Sequence, residues 1–512
     1  MPIKLRDFQL AGVEKIRENE KNSGHGSVLA YDMGLGKTLT MSSFLIQQRL
    51  SESPIYPDLI VVPLCVLTQW KKEILRVDED MDIYIYHGPD RVATLKKMKV
   101  KPDFVITTYH SLVTGELESY KWNRVVLDEA HAIRNGVTSE YQDAPKRALG
   151  AFALASRSKF RHCITGTPYN NNNNDILSLM KFIGGDCETS IQEFIENFVI
   201  QKTKEDIIDP IHVETIMIPR PPKESIQDYV NYLCLYYKLM YLLRSRTNPV
   251  EVRNIYRKSV MIMTKLRLYC DIMMSEKTGN TSQNKVSKSN KLNKIIIDES
   301  DDEFDSEIEE DEKEEEEEEE EDSENEEDVE EKNNFNFAQI DKTTFYDSSV
   351  KIKAVYDKLE EMIYKVPYKR IIIFSSFVTT LDIMEAIIRD KSKESGNSIL
   401  TYKYIGSKNR YERENIVHEF TKEDDSQPMV LLASLGAGSC GLNLTPCSTV
   451  FLMDISMNPF DQLQAVNRVH RITQTNQVNV YKFCMKDMME ETILMAHVRK
   501  ISEAKSNGLL IL

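Results

Sequence analysis

The sequence predicts an α/β chain: two domains, each built on a mostly buried parallel sheet, with a helical insertion between them. Three observations carry that expectation. Short runs rich in Val, Ile and Leu recur between helical segments, apolar throughout rather than alternating, as strands buried on both faces require. These runs fall into two groups along the chain. Between about 186 and 345 the rhythm lapses into helical sequence, then a polar Lys/Ser/Asn linker, then an acidic run.

The first group of expected strands lies at 28–30, 59–62, 105–108, 125–127 and 163–165. The second lies at 371–374, 430–432, 450–453 and 478–481. The Tyr- and Leu-rich stretch 229–243 reads as helix. Expected boundaries are therefore 1–185 for the first domain, 186–345 for a helical protrusion and linker, 346–490 for the second domain and 491–512 for a C-terminal helix. A chain of 512 residues is long enough to bury several cores.

The net charge of −16 conceals two populations. Residues 298–332 hold 26 Asp/Glu against Lys313 and Lys332, a local charge of −24, so the remainder carries +8. A mildly basic body suits a polyanionic partner. The acidic run cannot bury apolar surface and repels itself, and is expected to be a disordered insertion. It offers two readings, a solvated loop or a contact for a basic protein such as a histone. The eight cysteines include no C-x-x-C pair, so the expectation is reduced intracellular thiols in or near cores. No run of about 18 apolar residues signals a membrane span, and the N-terminus shows no apolar signal core.

The chemistry-bearing residues begin at Asp32-Met33-Gly34-Leu35-Gly36-Lys37-Thr38, which follows an expected strand and opens a helical segment at 39–48. Glycines let the backbone curl so that its N–H groups face phosphate oxygens, and the helix N-terminus adds partial positive charge. Lys37 would neutralise the β- and γ-phosphates of a nucleoside triphosphate, and the Thr38 hydroxyl would ligate Mg²⁺. Tyr31 stands where the strict pattern has its first glycine. Asp128-Glu129-Ala130-His131 directly follows the apolar strand at 124–127. Alone, Asp-Glu is an ordinary helix start. With a phosphate loop 91 residues earlier, Asp128 is placed to hold Mg²⁺ through water and Glu129 to activate the attacking water.

Further segments then fall in order. Together they resemble the superfamily 2 helicase-type ATPases, and more narrowly the Swi/Snf family of double-stranded DNA translocases, over most of 1–200 and 346–490. The resemblance implies two RecA-like domains, ATP and Mg²⁺ as nucleotide and cofactor, and non-specific contact with the duplex backbone. Leu5 to Gly12 resembles the family's glutamine motif, making Gln9 the expected adenine contact. Val61-Val62-Pro63 with Gln69-Trp70, and Thr107-Thr108-Tyr109, resemble segments that touch DNA backbone in the family. Thr165-Gly166-Thr167-Pro168 resembles motif III, which couples the nucleotide site to domain closure.

In the second half, Ile373-Phe374-Ser375 resembles motif IV, Gly406-Ser407 through Arg413 a following loop, and 434–444 motif V. Asn458-Pro459, Gln464-Ala465, Arg468, His470-Arg471-Ile472 and Gln474 resemble motif VI. Two arginines three apart are, in isolation, an ordinary solvated helix face. In the family's pattern Arg468 and Arg471, with Gln464 beside them, act on the γ-phosphate from the opposite domain. A triphosphate held between two domains can drive them to open and close, which makes a motor the expected function. Met457, Gly436, Thr473, Tyr31 and the segment Gln201-Lys202-Thr203-Lys204 depart from the family's pattern without removing a catalytic group. The competing readings are a strand-separating DNA or RNA helicase, a viral termination-type nucleoside triphosphatase, and an idle scaffold recruiting partners through its acidic arm. The low-complexity Asn170–Asn174 and Glu314–Glu321 runs, the frequent Lys and Ile and the compact build suggest an AT-rich genome such as that of a large DNA virus; the expected location is intracellular, in the nucleus, or in a cytoplasmic viral factory or virion if the chain is viral.

Overall fold

The structure, a computed structural model, describes residues 4–506 apart from 24, 53, 89–90, 92–101, 138–144, 167–172, 185–189, 205–206, 222–225, 247–248, 273–343, 367–368, 423–425 and 439–442. The acidic run and part of the Asn170–Asn174 run fall outside the described residues. The chain divides into two units, residues 1–209 with 500–512, and residues 210–499.

In the first unit seven strands are described: β1 (Gly26–Tyr31), β2 (Asp58–Val62), β3 (Ile83–Tyr86), β4 (Phe104–Thr108), β5 (Trp122–Asp128), β6 (Ser158–Ile164) and β7 (Val199–Lys202). All pair parallel, in the order β3-β4-β2-β5-β6-β1-β7. Every residue of β1, β2, β4 and β5 is buried, which is why these strands read as apolar runs. Because β1, β6 and β5 are neighbours, the loops leaving their C-terminal ends open side by side. Ligands of open α/β sheets bind at such an edge.

The opposite edge of this sheet carries a buried charge cluster. The Arg124 guanidinium donates twice to Glu20, at 2.7 Å each, and His162 Nε2 lies 2.8 Å from the same carboxylate. Burial works against ionising Glu20, but the bonds from His162 and Arg124 outweigh it and hold its pKa below the ordinary value. Asp58, the first residue of β2, accepts from the Arg124 backbone N–H at 3.0 Å and from Asn123 at 3.1 Å.

The second unit has six strands, β8 (His212–Ile218), β9 (Arg370–Ser375), β10 (Leu400–Tyr404), β11 (Met429–Ser434), β12 (Thr449–Leu452) and β13 (Asn479–Met485). They too are all parallel, ordered β10-β11-β9-β12-β13-β8. A hairpin of two long helices, Gln227–Ser245 and Pro249–Ile272, projects from this unit. Its root is fixed by a fully buried ion cluster, in which Lys351 Nζ lies 2.6 Å from both Asp271 and Glu490. Ser349 Oγ also donates to the Asp271 carbonyl at 3.0 Å. The chain is thereby clamped where it leaves for 273–343 and where it returns.

Two expectations need correcting. The stretch from 186 is not wholly helical, because it contributes β7 and β8, one to each sheet. Both are edge strands, half-buried in β7 and mostly exposed in β8, and the two opposite edge strands, β3 and β10, were likewise not among the expected strands; all four lack the fully buried pattern of the central ones. The first unit accordingly runs past residue 185 to 209. The C-terminal helix begins at Met489 and is described to Ser506.

Candidate nucleotide-binding site and arginine turn

The phosphate loop leaves β1 and enters helix Lys37–Glu52 through two left-handed glycines, Gly34 (φ 88°) and Gly36 (φ 80°). A side chain at Gly36 would be strained by that φ and would also meet Gln9 Nε2 at 2.6 Å. Gln9 is buried and clasps the loop. Its Nε2 donates to the Leu35 carbonyl at 3.2 Å, while its Oε1 accepts from the Arg6 N–H at 3.0 Å. Leu35 is fully buried and Thr38 half-buried at the helix start. Lys37 Nζ donates to the Tyr31 carbonyl at 3.0 Å. Gly166, at the end of β6, lies against this group: a Cβ there would sit 2.7 Å from Met33 and 3.2 Å from Lys37 Nζ.

Tyr31 takes a structural part in place of the missing glycine. Its ring is buried, its hydroxyl donates to the Phe8 carbonyl at 3.0 Å, and burial pushes its pKa up to about 12. The hydroxyl occupies the space beside Gly12, where any Cβ would approach it to 1.9 Å. Tyr31 therefore joins the glutamine segment to the strand whose carbonyl holds Lys37. Asp32 is engaged with the end of β7 and the residues that follow it. Its backbone N–H donates to the Lys202 carbonyl at 2.9 Å and its Oδ2 accepts from the Lys204 N–H at 2.8 Å. Asp32 thus fastens the loop to the segment after β7, a partner 172 residues away that no local pattern could reveal.

Asp128, the last residue of β5, is held from two sides. Trp70 Nε1 donates to its Oδ2 at 2.6 Å, and the Tyr109 hydroxyl donates to its carbonyl at 2.7 Å. Burial and the neighbouring charge of Glu129 push its pKa up to about 6, against the opposing effects of the Trp70 bond and the Lys37 charge. Glu129 follows in a left-handed conformation, φ 49°, with its carboxylate 3.4 Å from His131 Nδ1. Non-glycine residues held there store about 1 kcal/mol of strain and concentrate at functional sites.

Trp70, Thr107, Thr108 and Tyr109, in the segments expected at the DNA backbone, each have a partner within the domain. Thr107 Oγ1 donates to the Tyr86 carbonyl and Thr108 pairs with Ser111. Buried polar side chains are as a rule hydrogen-bonded, and of these four Trp70 and Tyr109 bond to Asp128.

Among the described residues no group of three or more His, Cys, Asp or Glu gathers as a metal site. Mg²⁺ fits the residues present nonetheless, since it takes most ligands from phosphate and water and needs only one or two protein oxygens. Thr38 and Asp128 are those that would hold it. When bound, the ion would supply charge neutralisation at the β- and γ-phosphates.

In the second unit, helix Pro459–Val466 starts with Asn458 as N-cap, its Oδ1 accepting from the Phe460 N–H at 3.2 Å, and Pro459 in the first turn. Gln462 is buried and donates to the Asp454 carbonyl at 2.8 Å, so Gln464, two positions on, is carried to another face and is half-buried. Arg468 and Arg471 do not share a helix face as their spacing suggested. The helix ends at Val466, and both arginines lie in the turns that follow. Gln474 explains the change of course. Its Nε2 donates to the carbonyls of Thr445, Cys447 and Val469, while the Leu444 N–H takes the Arg468 carbonyl at 3.1 Å. These bonds divert carbonyls that a continuing helix would use. Burial and the like charge of Arg468 push the Arg471 pKa down to about 10.

The family model for the SNF2-related domain matches residues 8–269. The chain belongs to the SNF2-related domain family. The helicase conserved C-terminal domain matches residues 354–473, so the acidic run lies outside both matches.

Among curated relatives, the ISWI chromatin-remodeling complex ATPase ISW2 of Saccharomyces cerevisiae is 27% identical over 97% of this chain and 40% of its own. A Drosophila melanogaster SWI/SNF-related regulator of chromatin containing DEAD/H box 1 homolog is 26% identical, over 98% of this chain and 60% of its own. The S. cerevisiae ATP-dependent helicase FUN30 is 27% identical over 96% and 45%. The chain therefore spans about 40–60% of the length of these relatives. The Sulfolobus solfataricus SWI2/SNF2 ATPase core in complex with dsDNA is 23% identical, covering 98% of this chain and 92% of that one, at a TM-score of 0.39. No helix among the described residues is long and apolar enough to cross a membrane.

Proposed function

We propose that this SNF2 core is an ATP-dependent translocase on duplex DNA. The observation that carries the reading is the convergence of Lys37, Gly166 and the Asp128-Glu129 pair at one edge of the first sheet, around a loop shaped for phosphates. Lys37 exchanges the Tyr31 carbonyl for the β- and γ-phosphates. Asp128, steadied by Trp70 and Tyr109, would hold Mg²⁺ with Thr38, and Glu129 takes the proton of the attacking water. Gln9 reads the adenine edge while keeping the loop closed over Leu35.

Arg468 and Arg471 supply charge to the γ-phosphate in the transition state, assisted by Gln464. Two half-buried guanidiniums beside each other, with the Arg471 pKa lowered by burial and by the Arg468 charge, suit an anionic ligand. The relatives' names, ATPase and ATP-dependent helicase, agree with the chemistry. Their chromatin context and the basic body agree with duplex DNA held non-specifically through its backbone, in the nucleus.

The test is ATP turnover with duplex DNA, single strands or RNA, in the wild type, Glu129→Gln and Arg471→Ala. Duplex-stimulated turnover is expected, lost in both variants, with ATP binding retained by Glu129→Gln. Turnover indifferent to DNA would sink the translocase reading, and stimulation by RNA or single strands would favour a strand-separating helicase.

A further inference from the structure

The helical hairpin of the second unit has two unlike halves. Near its root, Tyr229, Ile262, Met263 and Leu266 are buried in the core. Its outer half, residues 237–258, carries six cations against one carboxylate, Glu251. Lys238, Arg244, Arg246, Arg253, Arg257 and Lys258 are all exposed, and Glu251 lies 3.5 Å from Arg246. Three tyrosines interleave with them, Tyr237, Tyr241 and Tyr256, at 57, 73 and 60% exposure.

An ordinary solvated helix of this unit looks different. Helix Val378–Ser395 mixes its signs and pairs them along its own length, Arg389 with Glu385 and Lys391 with Glu394. A single-sign surface studded with large amphipathic rings is what a polyanion contact requires. Guanidinium and ammonium groups neutralise phosphates, while tyrosine hydroxyls donate to phosphate oxygens and the rings cover sugar.

On helix Gln227–Ser245 the positions 234, 237, 238, 241 and 244 recur at helical spacing, so Tyr237, Lys238, Tyr241 and Arg244 form one stripe about 10 Å long. That length spans roughly two phosphates of one DNA strand. Asp271 ties the end of helix Pro249–Ile272 to the buried Lys351 cluster, and the buried Tyr229 hydroxyl of helix Gln227–Ser245 accepts from the Met489 N–H at 2.7 Å, so the arm carrying the stripe is rooted in the core.

We propose that the outer half of this hairpin is a duplex-DNA backbone contact separate from the nucleotide-dependent machinery. The proposal rests on the reading of the chain as a duplex-DNA protein. It would give the second unit a hold on DNA that persists through the nucleotide cycle.

The test uses the full chain with Lys238, Arg244, Arg253 and Arg257 changed together to Gln, which preserves helix propensity on exposed positions. Duplex affinity is measured by fluorescence anisotropy across a salt series. Each lost phosphate contact lowers the slope of log affinity against log salt by about 0.9, so a slope shallower by roughly three to four is expected, with DNA-free ATP turnover unchanged. A matched control changes Lys365, Arg389, Lys391 and Lys393 to Gln. An unchanged slope in the hairpin variant, or an equal change in the control, overturns the proposal. Duplex-stimulated turnover with an unchanged slope would remove the hairpin contact and leave the translocase reading standing. A slope that responds while turnover ignores DNA would do the reverse.

Discussion

Two aspartates occupy corresponding places in the two sheets and are treated in opposite ways. Asp128 ends β5, the fourth of seven strands, and Asp454 follows β12, the fourth of six. Asp454 accepts from Ser375 Oγ, Ser376 N–H, Ser376 Oγ and Arg267 Nη2, at 2.6, 2.7, 2.6 and 3.1 Å. Asp128 has Trp70 and the Glu129 N–H, and its pKa is pushed up to about 6. A carboxylate bound from four sides is finished as a structural part. One buried with fewer partners beside another carboxylate is the group to which the proposed function gives the cation. The first unit keeps its C-terminal edge available and places a buried ion cluster, Arg124 with Glu20 and His162, on the far edge. The second unit uses the same edge for rigidity and carries its arginines on a turn pinned by Gln474.

The largest expected effect that could break this contrast is on the arginine turn. Arg471→Ala should lower kcat by about 10³–10⁵ with ATP binding little changed, read by steady-state turnover and nucleotide titration. A loss confined to thermal stability would make the turn structural instead. Next come the two aspartates themselves. Asp454→Asn should cost about 3–5 kcal/mol in urea unfolding, because Arg267 is left buried without its counter-charge. Asp128→Asn should abolish turnover while leaving stability equal or higher, since a neutral amide escapes the desolvation that raises the acid's pKa. Equal stability losses in both would end the distinction.

A smaller effect probes where the first unit is tightly fitted. Gly12→Ala should destabilise by about 1–3 kcal/mol through collision with the Tyr31 hydroxyl, with most of the loss recovered in Gly12→Ala/Tyr31→Phe. The smallest is a pair of opposed shifts in pH dependence. Asp128 is ionised above its folded pKa and protonated below it, so metal-nucleotide affinity should fall as pH drops through about 6. Trp70→Phe removes a bond that favours the ionised form and should move that fall to higher pH. Glu129→Gln removes a like charge and should move it to lower pH. Shifts of the same sign in both variants would contradict the assigned causes.

What the sequence disclosed was local. The phosphate loop, the Asp-Glu pair and the buried strands each declare themselves within ten residues, because backbone curl and apolar runs are short-range properties. What it withheld depends on distance along the chain. Trp70 meets Asp128 across 58 positions and Asp32 meets Lys204 across 172. The edge strands β3, β7, β8 and β10 were not recognised because each has a sheet neighbour on one side only and is not buried throughout. The arginines were expected on a helix because spacing three apart favours one, and it took Gln474, drawing carbonyls from two loops, to end the helix first. The segment 298–332 was expected to be disordered and lies outside the described residues.

The clamp at Asp271, Ser349 and Lys351 has a further meaning. It closes the stretch between them into a ring whose two ends meet inside a finished core, 78 to 80 positions apart. The bonds that hold both ends all lie outside 298–332, so removing that segment should leave them intact, with urea unfolding little changed. The fold is therefore nearly indifferent to what is spliced in there. That makes it a natural grafting point, where a charged tract, a tag or a foreign domain can be exchanged without asking the two sheets to adapt.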